Sequence, residues 1–114
     1  MDRPTSALAA LVAALAIAGA VPAARGQDAE TLDGATLYAQ RTCIACHGPD
    51  AKTPILPEYP RLAGQNAPYM LQQMRDIKSG ARNNGNTAAM RGVMHLVTDE
   101  DLQVLADYLA GLPR

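Results

Sequence analysis

Cys43-Ile44-Ala45-Cys46-His47 holds both cysteines of the chain, three apart, with a histidine directly after the second. Positions i, i+3 and i+4 share one face of a helical turn, so Cys43, Cys46 and His47 can all address one flat object. Two thiols can add to the two vinyl groups of a haem, and the adjacent imidazole can bind its iron from one side. The C-x-x-C-H spacing therefore reads as a covalent attachment site for a c-type haem. Two other chemistries compete for these residues. A redox dithiol wants a βαβ pattern around C-x-x-C, and nothing nearby alternates in a strand-like way. A zinc site of Cys43, Cys46, His47 and His95 would ask adjacent residues to serve one tetrahedral ion, at a spacing that fits no usual finger.

Upstream of the motif, Thr31 or Asp33 can cap a helix that Leu37, Tyr38 and Arg41 continue, and the spacing predicts a helix from about Gly34 to Cys43. Gly34 and Tyr38 lie four apart on one face, and a glycine there would let another helix cross closely. Further back, residues 1–26 read as an export signal: Arg3 gives a short basic start, and Ala7 to Val21 is an unbroken run of small apolar residues ending at Pro22. Its length suits a signal core and falls short of the roughly 20 residues of a membrane span. Cleavage is expected near Gln27, with a retained N-terminal anchor as the other reading. Export agrees with covalent haem, which is attached outside the cytoplasm, and thioethers rather than a disulfide are expected of the two cysteines.

Residues 27–114 then form one domain. Counted from Gln27, 8 Lys and Arg stand against 10 Asp and Glu, a formal net charge of −2. That balance argues against nucleic acid or a strongly charged partner. The chain has no Trp, no Phe and four Tyr, and a domain this small buries a limited core. A haem would supply the missing large apolar body.

Downstream of the motif, Gly48-Pro49-Asp50 ends the attachment turn. Pro49, Pro54, Pro57 and Pro60 then forbid regular helix as far as Gly64, so this segment is expected to wrap the histidine side of the cofactor. Asn66 caps a second helix with Pro68 in its first turn, running to about Ser79 and stopped by Gly80. Met70 and Met74, an i, i+4 pair on it, read as core packing. Ala81 to Thr87 is polar and Asn/Gly-rich, a loop. Thr98 caps the last helix, with Asp101 at the capping-box position. Leu102, Leu105, Ala106 and Leu109 form its apolar stripe, and Gly111 with Pro113 ends it. Three helices around a loop-held cofactor is the coarse picture.

These pieces, in this order, resemble a class I c-type cytochrome of the small bacterial monohaem kind, similar to single domains of periplasmic dihaem cytochromes. The resemblance runs through Gly34-x-x-x-Tyr38, Cys43-x-x-Cys46-His47-Gly48, Pro60-Arg61-Leu62-Ala63-Gly64-Gln65, Tyr69 to Gly80 and Thr98 to Leu109. It implies an all-α class I cytochrome c fold with one haem c. Cys43 and Cys46 would form the thioethers and His47 would be the proximal iron ligand. The Pro60 carbonyl would accept a hydrogen bond from the other nitrogen of His47. Gly34 and Tyr38 would meet Leu105 and Tyr108 where the first and last helices cross. In related domains the distal methionine lies seven residues before the apolar residue that precedes the last cap. Here that residue is Val97, which points to Met90, with Met94 next and His95 as an outsider.

The implied function is one-electron transfer in the periplasm between redox partner proteins, with both axial positions of the iron filled. Paired carboxylates and a Ser/His/Asp set are missing, so catalysis is not expected; nor is a small-molecule substrate. Membrane association is expected only if the signal segment is retained. Two other classes stand beside this one: a haem subunit of a larger periplasmic dehydrogenase or oxidase, and a gas- or peroxide-reacting haem protein, which would need an open distal site.

Overall fold

Asp33 fixes the start of the first helix. Its two carboxylate oxygens accept from the Thr36 N–H at 2.9 Å and the Thr36 hydroxyl at 2.8 Å, satisfying donors that a helix start leaves free. In this computed structural model, which describes residues 13–14, 16–21 and 31–114, five helices follow. They are α1 (Gly34–Gln40), α2 (Cys43–His47), α3 (Ala67–Ser79), α4 (Thr87–Met94) and α5 (Asp99–Ala110), and the described residues contain no strand. The expectation for an export signal at 1–26 falls largely outside the described residues.

The fold hangs on α5. Helix α1 crosses it on one side and α3 packs on it from another, with α4 against α3. The first crossing is as close as the sequence suggests. A Cβ on Gly34 would collide with Cβ of Tyr108, and the rings of Tyr38 and Tyr108 pack tilted with centroids 6.1 Å apart. Leu37, Met94, Val97, Leu102 and Leu105 are the largest side chains fully removed from water. The Arg41 guanidinium, 3.2 Å from Asp101, ties the end of α1 to the start of α5. Asp101 also completes the capping box with Thr98.

Two elements differ from the sequence reading. The helix expected to run unbroken to Cys43 stops at Gln40, because Thr42 takes a left-handed backbone at φ 65°. That reversal starts a fresh turn, α2, whose axis is set independently of α1. The second difference is α4, a helix that the sequence reading does not foresee. It begins on Thr87, the last residue of the expected loop, and is only 8 residues long. Asn86 stands at its N-cap without a capping hydrogen bond, so the usual start signal is missing. The helix is held by packing against α3 instead. By contrast, α3 begins at its Asn66 cap and closes at Gly80, and α5 runs between Thr98 and Gly111, as the cap residues foretell.

Candidate cofactor pocket

The separate turn α2 turns its chemistry inward. Cys43 and His47 are buried and Cys46 is half-buried. The two thiols are free rather than joined. Burial pushes the Cys43 thiol up to about 11, so it is neutral at physiological pH. Burial likewise pushes the His47 imidazole below its ordinary value, against the opposing pull of its hydrogen bond to Pro60.

That hydrogen bond settles the tautomer. Nδ1 of His47 lies 3.0 Å from the Pro60 carbonyl oxygen. A carbonyl only accepts, so Nδ1 carries the proton and donates. In the neutral ring Nε2 then keeps its lone pair. The loop that brings Pro60 here is itself pinned at several points. The Tyr38 hydroxyl donates to the Gly48 carbonyl at 2.6 Å, and Ile55 N–H donates to the Cys46 carbonyl at 3.1 Å. The Ala51 carbonyl accepts from both Leu62 and Ala63. Gly64 N–H reaches the Leu109 carbonyl at 2.8 Å, which moors the end of the loop to α5. Gly48 makes the turn possible: at φ 85° any side chain would be strained, and a Cβ would strike the Thr53 carbonyl.

Beside α2 opens a cavity of about 420 Å³. Cys43, Cys46, His47 and Met90 all stand on its wall. So does Met94, but Met94 is fully buried in the core, whereas Met90 on the same face of α4 is half-buried. His95 is exposed and is not on the wall. Met70 and Met74 are buried, as their core reading expects, and both also line the cavity. Every methionine after Met1 therefore faces this one space, with Ile77, Leu105 and Leu109 between them. Sequence reasoning missed the polar end of the wall, where Gln73 and Arg82 meet. The residues of a loop rich in Asn and Gly carry no pattern that says which way they face.

The wall suits a haem on three counts. It is largely apolar, it presents two free thiols three residues apart on one helical turn, and it carries a histidine held by its far nitrogen. The competing chemistries fare worse. The described residues hold no gathering of three or more His, Cys, Asp or Glu side chains able to bind a metal ion, and no strand exists there to build a thioredoxin-like βαβ unit.

A family model described as "Cytochrome c" matches residues 31–113. Among curated relatives, the chain is 37% identical over 102 residues to "Thiosulfate dehydrogenase electron acceptor" of Stutzerimonas stutzeri (strain A1501), covering 90% of this chain and 45% of that one. It is 39% identical over 67 residues to "Cytochrome c-554(548)" of Halomonas halodenitrificans, covering 59% of this chain and 80% of the relative. Among solved structures, reduced recombinant cytochrome c4 from Pseudomonas stutzeri superposes with a TM-score of 0.61 at 33% identity, over 70% of this chain and 46% of that chain. The chain spans about a third of the length of the first curated relatives it matches.

Proposed function

From the premise that this chain belongs to the cytochrome c family, we propose that it is a periplasmic one-electron carrier with its haem held in the cavity beside α2. Its cofactor is haem c, covalently bound. Cys43 and Cys46 would supply the two thioethers, His47 Nε2 the proximal bond to the iron and the Met90 sulfur the distal one. The observation that carries this reading is His47: its Nδ1–H is committed to Pro60 at 3.0 Å, which leaves Nε2 as the donor atom beside two free thiols.

When bound, the haem supplies an iron that accepts one electron from a donor protein and yields it to an acceptor. The chain's own residues set how readily it does so. Pro60 fixes the plane of the imidazole and raises its basicity. A soft sulfur from Met90 would favour the reduced metal over a harder donor. The apolar wall penalises the additional positive charge of the oxidised centre, in the same direction. Ile44 and Ile55 are exposed, and Ile55 is bonded to the backbone of Cys46, so an apolar rim marks the edge where a redox partner docks transiently. Residues 1–26 act as the export signal. No helix of the described residues is long and apolar enough to cross a membrane.

A second reading has one specific support. The relative covering 90% of this chain is a thiosulfate dehydrogenase electron acceptor, which favours a carrier that serves a periplasmic enzyme of sulfur compounds. Copurification with such an enzyme would separate a standing subunit from a free carrier.

The deciding experiment is an optical spectrum of the exported protein, oxidised and reduced, with and without Met90→Ala. A sharp reduced α-band and a weak far-red band in the oxidised form are expected of haem with methionine ligation. Loss of the far-red band in Met90→Ala assigns Met90. Its survival there, with loss in Met94→Ala, moves the ligand to Met94.

A further inference from the structure

Tyr38 carries more chemistry than the helix crossing needs. Its ring packs against Tyr108 where α1 meets α5, and a bare ring would do the same. The hydroxyl goes into the interior with it, since Tyr38 is only 3% exposed. Burying a hydroxyl is unfavourable unless it is hydrogen-bonded. This one donates to the Gly48 carbonyl at 2.6 Å. Burial also pushes the phenol well above its ordinary value, so the donated proton stays on the oxygen.

Gly48 follows His47 directly in the chain, and its carbonyl is the first joint of a short hydrogen-bonded path. That carbonyl also accepts from the Ala51 N–H at 3.2 Å. The Ala51 carbonyl in turn accepts from Leu62 N–H at 2.7 Å and Ala63 N–H at 3.0 Å. Leu62 stands two residues after Pro60, whose carbonyl lies 3.0 Å from His47 Nδ1. Ala51 is fully buried and left-handed at φ 58°, a conformation kept only where the surroundings fix it. The path therefore runs from the peptide beside the histidine round to the carbonyl that its ring is bonded to, and Tyr38 fastens it to α1.

We propose that Tyr38 is a positioning residue for His47: its hydroxyl holds Gly48 so that the Pro60 carbonyl stays in line with the Nδ1–H. The inference rests on the haem reading of the cavity given above. Tyr38 is not on the cavity wall, so its effect on the electron passes through the backbone and the imidazole. A hydrogen bond from Nδ1–H makes the imidazole a stronger donor, which favours the oxidised, more positive iron. Loosening that bond raises the reduction potential.

The test uses the holoprotein. Wild type, Tyr38→Phe and Tyr108→Phe are compared by absorbance, by midpoint potential and by the NMR resonance of the His47 Nδ1–H in the reduced state. Both readouts belong to the folded protein, and a loss of overall stability alone moves neither. Tyr38→Phe keeps the ring and removes the hydroxyl; Tyr108→Phe removes a hydroxyl at the same crossing that is no part of the path. Tyr38→Phe is expected to move the Nδ1–H resonance upfield, as its bond lengthens, and to raise the potential. Tyr108→Phe is expected to leave both in place. A resonance unmoved in Tyr38→Phe overturns the proposal whatever the potential does, since a changed local dipole shifts the potential without touching the bond. A potential that stays or falls overturns it too, and so does equal movement in Tyr108→Phe, which would make the crossing rather than the hydroxyl responsible. Should Tyr38→Phe yield no holoprotein, fluorotyrosine at position 38, a stronger donor on the same ring, is read in its place: a downfield resonance and a lower potential support the proposal, and no movement overturns it. Absence of haem absorbance in the wild type overturns the cavity reading itself; intact absorbance with an unmoved resonance overturns only the role of Tyr38.

Discussion

Thr42 sits in the left-handed region at φ 65°, where a β-branched side chain crowds the following carbonyl and costs about 1–2 kcal/mol. Glycine escapes that cost, so Thr42→Gly should raise the unfolding free energy by up to about 1 kcal/mol, after the greater freedom of glycine in the unfolded chain is subtracted. A chemical-denaturation midpoint measures it; an unchanged or lower midpoint would mean that the threonine side chain makes up its own strain. Next to it, the burial that lifts the Cys43 thiol to about 11 has a readable sign. At pH 8 the gap from an ordinary value of 9.0 leaves about a hundredfold less thiolate. In haem-free protein, alkylation of Cys43 should therefore still be accelerating past pH 9 and level only near 11. The same raised value means that this thiol supports folding below pH 9 and ceases to do so as pH climbs toward 11. An alkylation inflection at 9 would show the thiol to be solvated. At this scale the sequence spoke clearly where residue type is the chemistry, as in Cys43, Cys46 and His47. It was silent on Thr42, because a left-handed threonine has no composition signal.

Helices reveal themselves through their ends, and their legibility varied accordingly. The starts of α3 and α5 were plain because Asn66 and Thr98 each make the capping bond their type suggests. Helix α4 was hidden because its cap position makes none and its stability comes from α3, a tertiary fact. The α1–α5 crossing was also readable, since only a glycine at 34 lets the Tyr108 side chain so near. Gly34→Ala should consequently cost about 1–3 kcal/mol as the two helices are pushed apart. Since alanine is the better helix former, any stabilisation on thermal melting would show that the crossing yields without strain.

Across the whole molecule, the cavity is the dominant fact. About 420 Å³ of largely apolar space opens beside α2, so whatever fills it removes apolar surface from water and adds to the stability of a small domain. Haem is on this view a structural member as well as the electron site. A Cys43→Ala/Cys46→Ala chain, unable to tether it, should lose its cooperative thermal transition when haem is washed away; a sharp melt by circular dichroism would refute that. The need for a large apolar insert was visible in a chain without Trp or Phe. Which residues would surround it was only partly visible, because Arg82 and Gln73 reach the wall through loop geometry that no periodicity encodes.

The methionine wall also decides how this protein ages. Each thioether facing the cavity is apolar as made, and becomes a polar, chiral sulfoxide when a peroxide delivers one oxygen. Met94 is sealed in the core and Met90 is half-open in the haem-free chain, so before haem is attached a peroxide reaches Met90 first, at the sulfur proposed for the iron. Wear of this kind would keep the far-red band from appearing once haem is attached while the helices stand intact, and a reductase acting on that one side chain would be enough to restore it.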